Sequence, residues 1–214
     1  MGDVEFGKGM SRIFNICDWI MKLAIVNLLW LVFTIAGLVI FGVAPATVAM
    51  FSVIRKWIMG EEDIPIFKSF WKYYRTDFLK SNLLGLTFFL IGCILYVDLK
   101  FALDYEGSFS TVFLVPVILA CASYLLTLAY LFPVFVHYEW PGFKQCIQNA
   151  FLIGIAQLPS TLLMIGGVFL SYLLFRFMPV TLLFYCASLI GYFLYRSAHR
   201  AFLKIERAKA AEEM

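Results

Sequence analysis

Charge is what this sequence has least of. Of its 214 residues only 14% are Asp, Glu, Lys or Arg, while 63% are hydrophobic and 18% aromatic. A typical soluble domain carries about 25% charged residues. A chain of this length cannot build a water-facing globule that hides so much apolar surface, so lipid must act as its solvent. Histidine is nearly absent, with His137 and His199 alone. There is no His-Glu-x-x-His, no Gly-x-Ser-x-Gly and no phosphate-binding loop, so the common hydrolytic and nucleotide chemistries have no residues to run on. Cys17, Cys93, Cys121, Cys146 and Cys186 lie far apart without a Cys-x-x-Cys, which leaves neither a disulfide framework nor a zinc site. Acidic residues stay outside the apolar cores, so no carboxylate pair is buried for intramembrane proteolysis. No catalytic residue, cofactor or metal is assigned. The net charge of +3 is small and its basic residues are clustered, which fits a membrane surface and not a nucleic-acid footprint.

What is abundant is long apolar sequence. Five runs reach or approach the roughly 17–25 residues of a spanning helix: Leu23–Gly42, Leu83–Val97, Val112–Val136, Ala150–Phe175 and Met178–Tyr195. Ala44-Pro45-Ala46 imitates a signal-peptide cleavage site, but the run before it exceeds the roughly 7–15 residues of such a segment. It is expected to be an uncleaved first span. A sixth segment, Val43–Ile58, measures roughly 22 Å as a helix over its apolar part, short of a bilayer core of about 30 Å.

Charge decides whether that segment returns the chain. If it crosses or re-enters, just Lys100 and Arg176 of the 17 basic residues face outward, as the preference of Lys and Arg for the cytoplasmic side demands. If it does not, Lys8, Arg12 and Lys22 join them outside. The expected fold is therefore an all-α polytopic bundle of one domain with about six membrane segments, over 20–42, 43–58 (short or re-entrant), 81–97, 112–136, 150–175 and 178–195. Both termini face the cytoplasm of the plasma membrane, and the outer loop Asp98–Ser110 is acidic.

Within the longest cytoplasmic connection, Phe67, Phe70, Trp71, Tyr74 and Phe78 recur at helical spacing, flanked by Lys68, Lys72 and Arg75. That pattern predicts an amphipathic interfacial helix over 64–79, its aromatic stripe meeting lipid or other helices. The tail 196–214 carries Arg196, Arg200, Lys204 and Arg207 at helical spacing, suited to anionic lipid or to anchoring alone. Both basic surfaces are candidate interfaces for a partner or for lipid. Inside the spans, Asn27, Gln157, Ser160 and Thr161 are the polar groups that need partners. The sequence favours interhelical hydrogen bonds for them over a broken helix at Pro159 lining a substrate path. His137 and Glu139, two apart, point away from each other on a helix and could pair only on irregular backbone before Pro141. Small residues four apart, Ser81/Gly85, Ala150/Gly154 and Ala187/Gly191, offer faces for close packing.

Phe14-Asn15 and the first span, then Ala44 to Phe51, Arg55-Lys56-Trp57 with Gly60-Glu61, the stretch Phe67 to Phe78, and Asn149-Ala150-Phe151 together resemble the YesL family. These are small bacterial membrane proteins classed as a domain of unknown function. The resemblance covers nearly the whole chain and supplies no catalytic residues. It implies an accessory or regulatory role beside carbohydrate ABC importers, near whose genes such proteins are often encoded. The cytoplasmic Glu-Ala-Ala loop of ABC permeases is missing here. The function expected is thus a non-enzymatic accessory component of a membrane complex, with an importer and the lipid bilayer as partners. The alternative is an independent small-solute transporter or channel, for instance as a homo-oligomer.

Overall fold

A computed structural model describes residues 2–104 and 110–212; side chains are described from Phe14 onward, except Asn15, 110–113, Lys209 and 211–212. Glu106 of the acidic loop and the side chains of Lys8, Arg12 and Lys209 lie outside the described residues. The described residues form eight helices: α1 (Gly2–Ala36), α2 (Val43–Ile58), α3 (Ile66–Thr76), α4 (Phe78–Asp104), α5 (Ser110–His137), α6 (Phe143–Ala156), α7 (Leu158–Phe177) and α8 (Val180–Glu212). Among the described residues, five stretches are long and apolar enough to cross a membrane: Ile16–Ala36, Phe78–Asp104, Leu114–His137, Leu158–Phe177 and Val180–Ala208. The protein is a helical membrane bundle.

The short helix α2 is its centre. It packs against α1, α3, α4, α5 and α8, and Ala46, Val48, Ala49, Val53 and Ile54 are fully buried. Its 16 residues rise about 24 Å, less than the hydrocarbon core. α1 and α2 form a hairpin held by an edge-on Trp19–Trp57 contact at 5.7 Å between centroids. Nearer the turn, Trp30 Nε1 donates to Thr47 Oγ1 at 3.1 Å. The turn between them, residues 37–42, keeps its backbone groups bonded locally, with Val39 N donating to Thr34 O at 2.9 Å and Gly42 N to Val39 O at 3.1 Å. Leu38 and Val39 take positive φ there, unusual for a β-branched residue. Gly42 is required: a Cβ would collide with the Thr34 carbonyl oxygen.

Three boundaries differ from the sequence expectation. α4 runs on to Asp104, through the start of the expected outer loop Asp98–Ser110. The interfacial helix ends at Thr76, not 79, because Asp77 takes φ −103°, ψ 11° and its carbonyl accepts Ser81 N and Oγ at 2.9 and 2.7 Å. Phe78 therefore belongs to α4. The span expected over 150–175 is two helices, broken at Gln157 (φ −117°, ψ 56°), with Pro159 supplying no backbone donor just after the break. The last span runs on into the tail as one helix, α8, as the helical spacing of its basic residues leads one to expect, and Tyr195, Ala198, Ala201 and Phe202 in it are fully buried.

Candidate functional site

The aromatic stripe of α3 divides in two. Phe70 and Tyr74 are buried against Phe33 of α1, with ring centroids 5.3 and 4.9 Å from it, and the Tyr74 hydroxyl donates to Phe33 O at 3.1 Å. Phe67 and Trp71 also lie beside Phe33, at 6.4 and 5.5 Å, yet remain 60% and 45% exposed. Phe78 meets Tyr74 edge-on from the next helix, at 5.6 Å. Lys68, Lys72 and Arg75 are exposed and make no ion pair among the described residues. On α8, Arg196 donates to the Tyr192 hydroxyl at 2.8 Å, while Arg200 and Lys204 point outward.

Where α2, α5 and α8 meet, charges assemble that the sequence separates widely. Glu139 and Trp140 both adopt left-handed backbone (φ 48° and 64°), each costing about 1–3 kcal/mol for a non-glycine residue. This irregular turn does not pair His137 with Glu139. It turns Glu139 toward Arg55, whose Nη1 donates to Oε1 at 3.2 Å and whose Nη2 reaches His137 O at 3.5 Å. His137 instead pairs through Nε2 with Glu206 Oε1 at 3.0 Å and stacks on Phe202 at 4.3 Å. The two histidines of the chain come within 6.2 Å of each other. Arg55 Nε, both histidine Nδ1 atoms and the Tyr195 hydroxyl are buried without a protein hydrogen-bond partner. The first-order sequence signal for this junction was absent, since the partners lie 69 and 84 positions apart. Among the described residues no group of three His, Cys, Asp or Glu side chains forms a metal-ligand set.

Beside the junction, a polar pocket of about 360 Å³ opens between α2, α3 and the end of α5. Ser52, Arg55, Phe135 and Val136 form its inner part, Tyr73, Thr76 and Asp77 one wall, and Glu139 and Trp140 the other, with Lys72 also lining it. Lys80 Nζ sits 6.0 Å above the Trp140 ring. Burial pushes the Asp77 carboxyl above the usual carboxylate range; Lys80 opposes that and Glu139 adds to it. A second opening of about 960 Å³, between α2, α5, α7 and α8, is lined mainly by apolar side chains such as Phe51, Leu128 and Val168.

Among the intramembrane polar groups, Asn27 holds two helices together and Thr161 closes a helix break. Asn27 Nδ2 donates to Leu183 O at 2.8 Å, and its Oδ1 accepts Ala187 N and Ser188 N at 2.9 and 3.2 Å. Thr161 Oγ1 donates toward Gly154 O at 3.1 Å and lies 3.0 Å from the Tyr130 hydroxyl. It thereby closes the break at Gln157, a half-buried residue, while Ser160 is buried beside it.

Residues 23–99 match the family described as a protein of unknown function, DUF624. The chain is similar to three uncharacterised proteins of Bacillus subtilis (strain 168). YteU is 37% identical over 95% of this chain and 91% of its own length. YesV is 39% identical over 89% and 91%, and YesL 32% identical over 93% of both. No solved structure matches. With such identity over almost full length, the chain belongs to the YesL-like family of DUF624 proteins, whose function is unknown.

Proposed function

We propose that the protein is a non-enzymatic accessory or regulatory component of a complex in the plasma membrane, docked to a carbohydrate ABC importer, with both of its termini in the cytoplasm. One observation carries the docking: on α3, Phe67 and Trp71 stay exposed beside three cations without ion-pair partners. Two large aromatics flanked by arginine and lysine are the composition of an interface hot spot, and their inner neighbours Phe70 and Tyr74 fix the helix that presents them. Arg200 and Lys204 of α8 supply a second basic surface for an acidic face on the partner. The carbohydrate importer as the partner class comes from the family resemblance.

The test is gentle extraction of the tagged full chain and identification of what accompanies it. A permease should co-purify with the wild type and be lost from Phe67→Ala/Trp71→Ala, while membrane insertion is unchanged because no spanning helix is altered. Reporters at residues 2 and 214 should both read as cytoplasmic. Transport of a sugar or ion by the purified protein alone in liposomes would replace this function with that of an independent transporter.

A further inference from the structure

We propose that the polar pocket between α2, α3 and the end of α5 binds a neutral polyhydroxylated ring of monosaccharide size. Trp140 and Tyr73 meet the apolar face of the ring, and Ser52, Thr76 and Asp77 meet its hydroxyls. The proposal deepens the carbohydrate function above and rests on it for the biological source of the ligand. The chemistry of the pocket stands on its own.

Size comes first. At about 360 Å³ the pocket falls at the small end of ligand clefts, which run from about 300 to 1,000 Å³. In a chain this apolar, a cleft lined by two cations, two acids and three hydroxyls is out of character with the rest of its surface. Its lining is also held under strain by the left-handed pair Glu139 and Trp140, and such strain concentrates where ligands bind.

Charge then selects the ligand class. Arg55 is already tied to Glu139 at 3.2 Å, so the strongest charges of the pocket cancel. Asp77 and the solvent-exposed Lys72 add one charge of each sign to the lining. A simple anion would face Glu139 and Asp77; a simple cation would face Arg55 and Lys72. A net-neutral ligand meets neither repulsion. What remains to bind it is a set of uncommitted hydrogen-bonding groups. The Tyr73 and Thr76 hydroxyls make no hydrogen bond among the described residues. Ser52 Oγ donates to Val48 O at 2.8 Å, which leaves its lone pairs as acceptors. These groups alternate with the faces of Tyr73, Phe135 and Trp140. Donors and acceptors set between aromatic faces suit a ring with hydroxyls on its edge and C–H groups on its face.

The experiment uses the full chain in lipid nanodiscs, which keeps glycoside detergents away from the site. Glucose, galactose, mannose, xylose and rhamnose are titrated by calorimetry and by tryptophan fluorescence, with inorganic phosphate and phosphoethanolamine alongside. At least one neutral sugar should bind saturably with Kd between about 10 µM and 10 mM. Tyr73→Phe and Thr76→Ala should each weaken binding by about tenfold, as expected for a lost hydrogen bond of ordinary strength. Trp140→Phe should remove the fluorescence change and keep the heat. Absence of saturable heat with every sugar, from protein of unchanged helicity, overturns the proposal; so does saturable binding of phosphate or phosphoethanolamine in place of a sugar. Loss of sugar binding with the partner still captured sinks this site alone, whereas sugar binding without any captured partner sinks the docking function alone.

Discussion

Asn27 offers the sharpest measure of how this bundle is held together. It is 1% exposed, in the middle of a spanning helix, and its amide joins two groups of α8, Leu183 O and Ala187 N, that a regular helix would pair with each other. Asn27→Ala deletes one donated and two accepted hydrogen bonds. Hydrogen bonds between membrane helices average about 0.6 kcal/mol and reach about 1.7. Three lost at once amount to about 1–2 kcal/mol. Asn27→Asp is the more severe change. A carboxylate still accepts from Ala187 and Ser188, but it faces the Leu183 oxygen and is charged in a dry site, so the loss should exceed that of alanine by several kcal/mol or by proton uptake of the acid. Ser52→Ala is the control, because Ser52 Oγ bonds only within its own helix; it should change little. Reversible unfolding in mixed micelles by added denaturing detergent gives the differences directly. An Asn27→Ala protein within about 0.3 kcal/mol of wild type, with Asn27→Asp no worse, would refute the clamp, since that is the usual scatter of additive mutational data.

Glycines give an internally controlled pair: Gly85→Ala should destabilise by crowding Ala44 Cβ, whereas Gly166→Ala, with nothing near its Cβ position, should be neutral or stabilising by up to about 1 kcal/mol from helix propensity. The same unfolding assay ranks them. Burial pushes the Cys146 thiol up to about 12, so at pH 8 it holds essentially no thiolate and should resist maleimide in the folded protein, reacting only after denaturation; mass spectrometry of labelled peptides reports this. Asp77 titrates above the usual carboxylate range when folded, so its contribution to stability is fullest below its unfolded value and is lost as pH rises through its folded one. The stability gained by Asp77→Asn should accordingly grow with pH above the ordinary carboxylate range and then level off, and a flat difference from pH 4 to pH 8 would count against that burial.

The class of fold was legible because apolar run length is a direct consequence of bilayer thickness. The membrane-crossing helices follow from it, as does the short second segment, and Phe67 to Tyr74 show their helix through spacing alone. Where the sequence misled, local chemistry outweighed periodicity. Phe78 keeps the aromatic period, yet the backbone breaks at Asp77, whose carbonyl is taken by Ser81. Pro159 announced a break, but only Thr161 with Tyr130 shows that the break is sealed by a hydroxyl. The tail looked like a basic stripe because Arg196, Arg200 and Lys204 are conspicuous, while the small residues that bury it, Ala198 and Ala201, carry almost no signal. His137 and Glu139 drew notice as neighbours and found their partners in other helices. Pairings between α2, α5 and α8 are invisible to any window along the chain.

The hairpin of α1 and α2 has a consequence for the lipid around it. Its turn exposes Leu38, Val39, Ile40 and Phe41, and holding such side chains in water costs about 1.5–3 kcal/mol each when fully exposed. The turn pairs most of its backbone N–H groups locally, which lowers the cost of irregular backbone away from water. A helix of about 24 Å with an oily tip is best accommodated where the membrane is thin, or with acyl chains folded over the tip. Beside it, α4 runs for 27 residues, about 40 Å, and can span a full bilayer with tilt to spare. With α2 itself buried, the lipid over the exposed tip of the hairpin must adapt to a different depth from the lipid along α4, which makes the protein's stability sensitive to acyl-chain length.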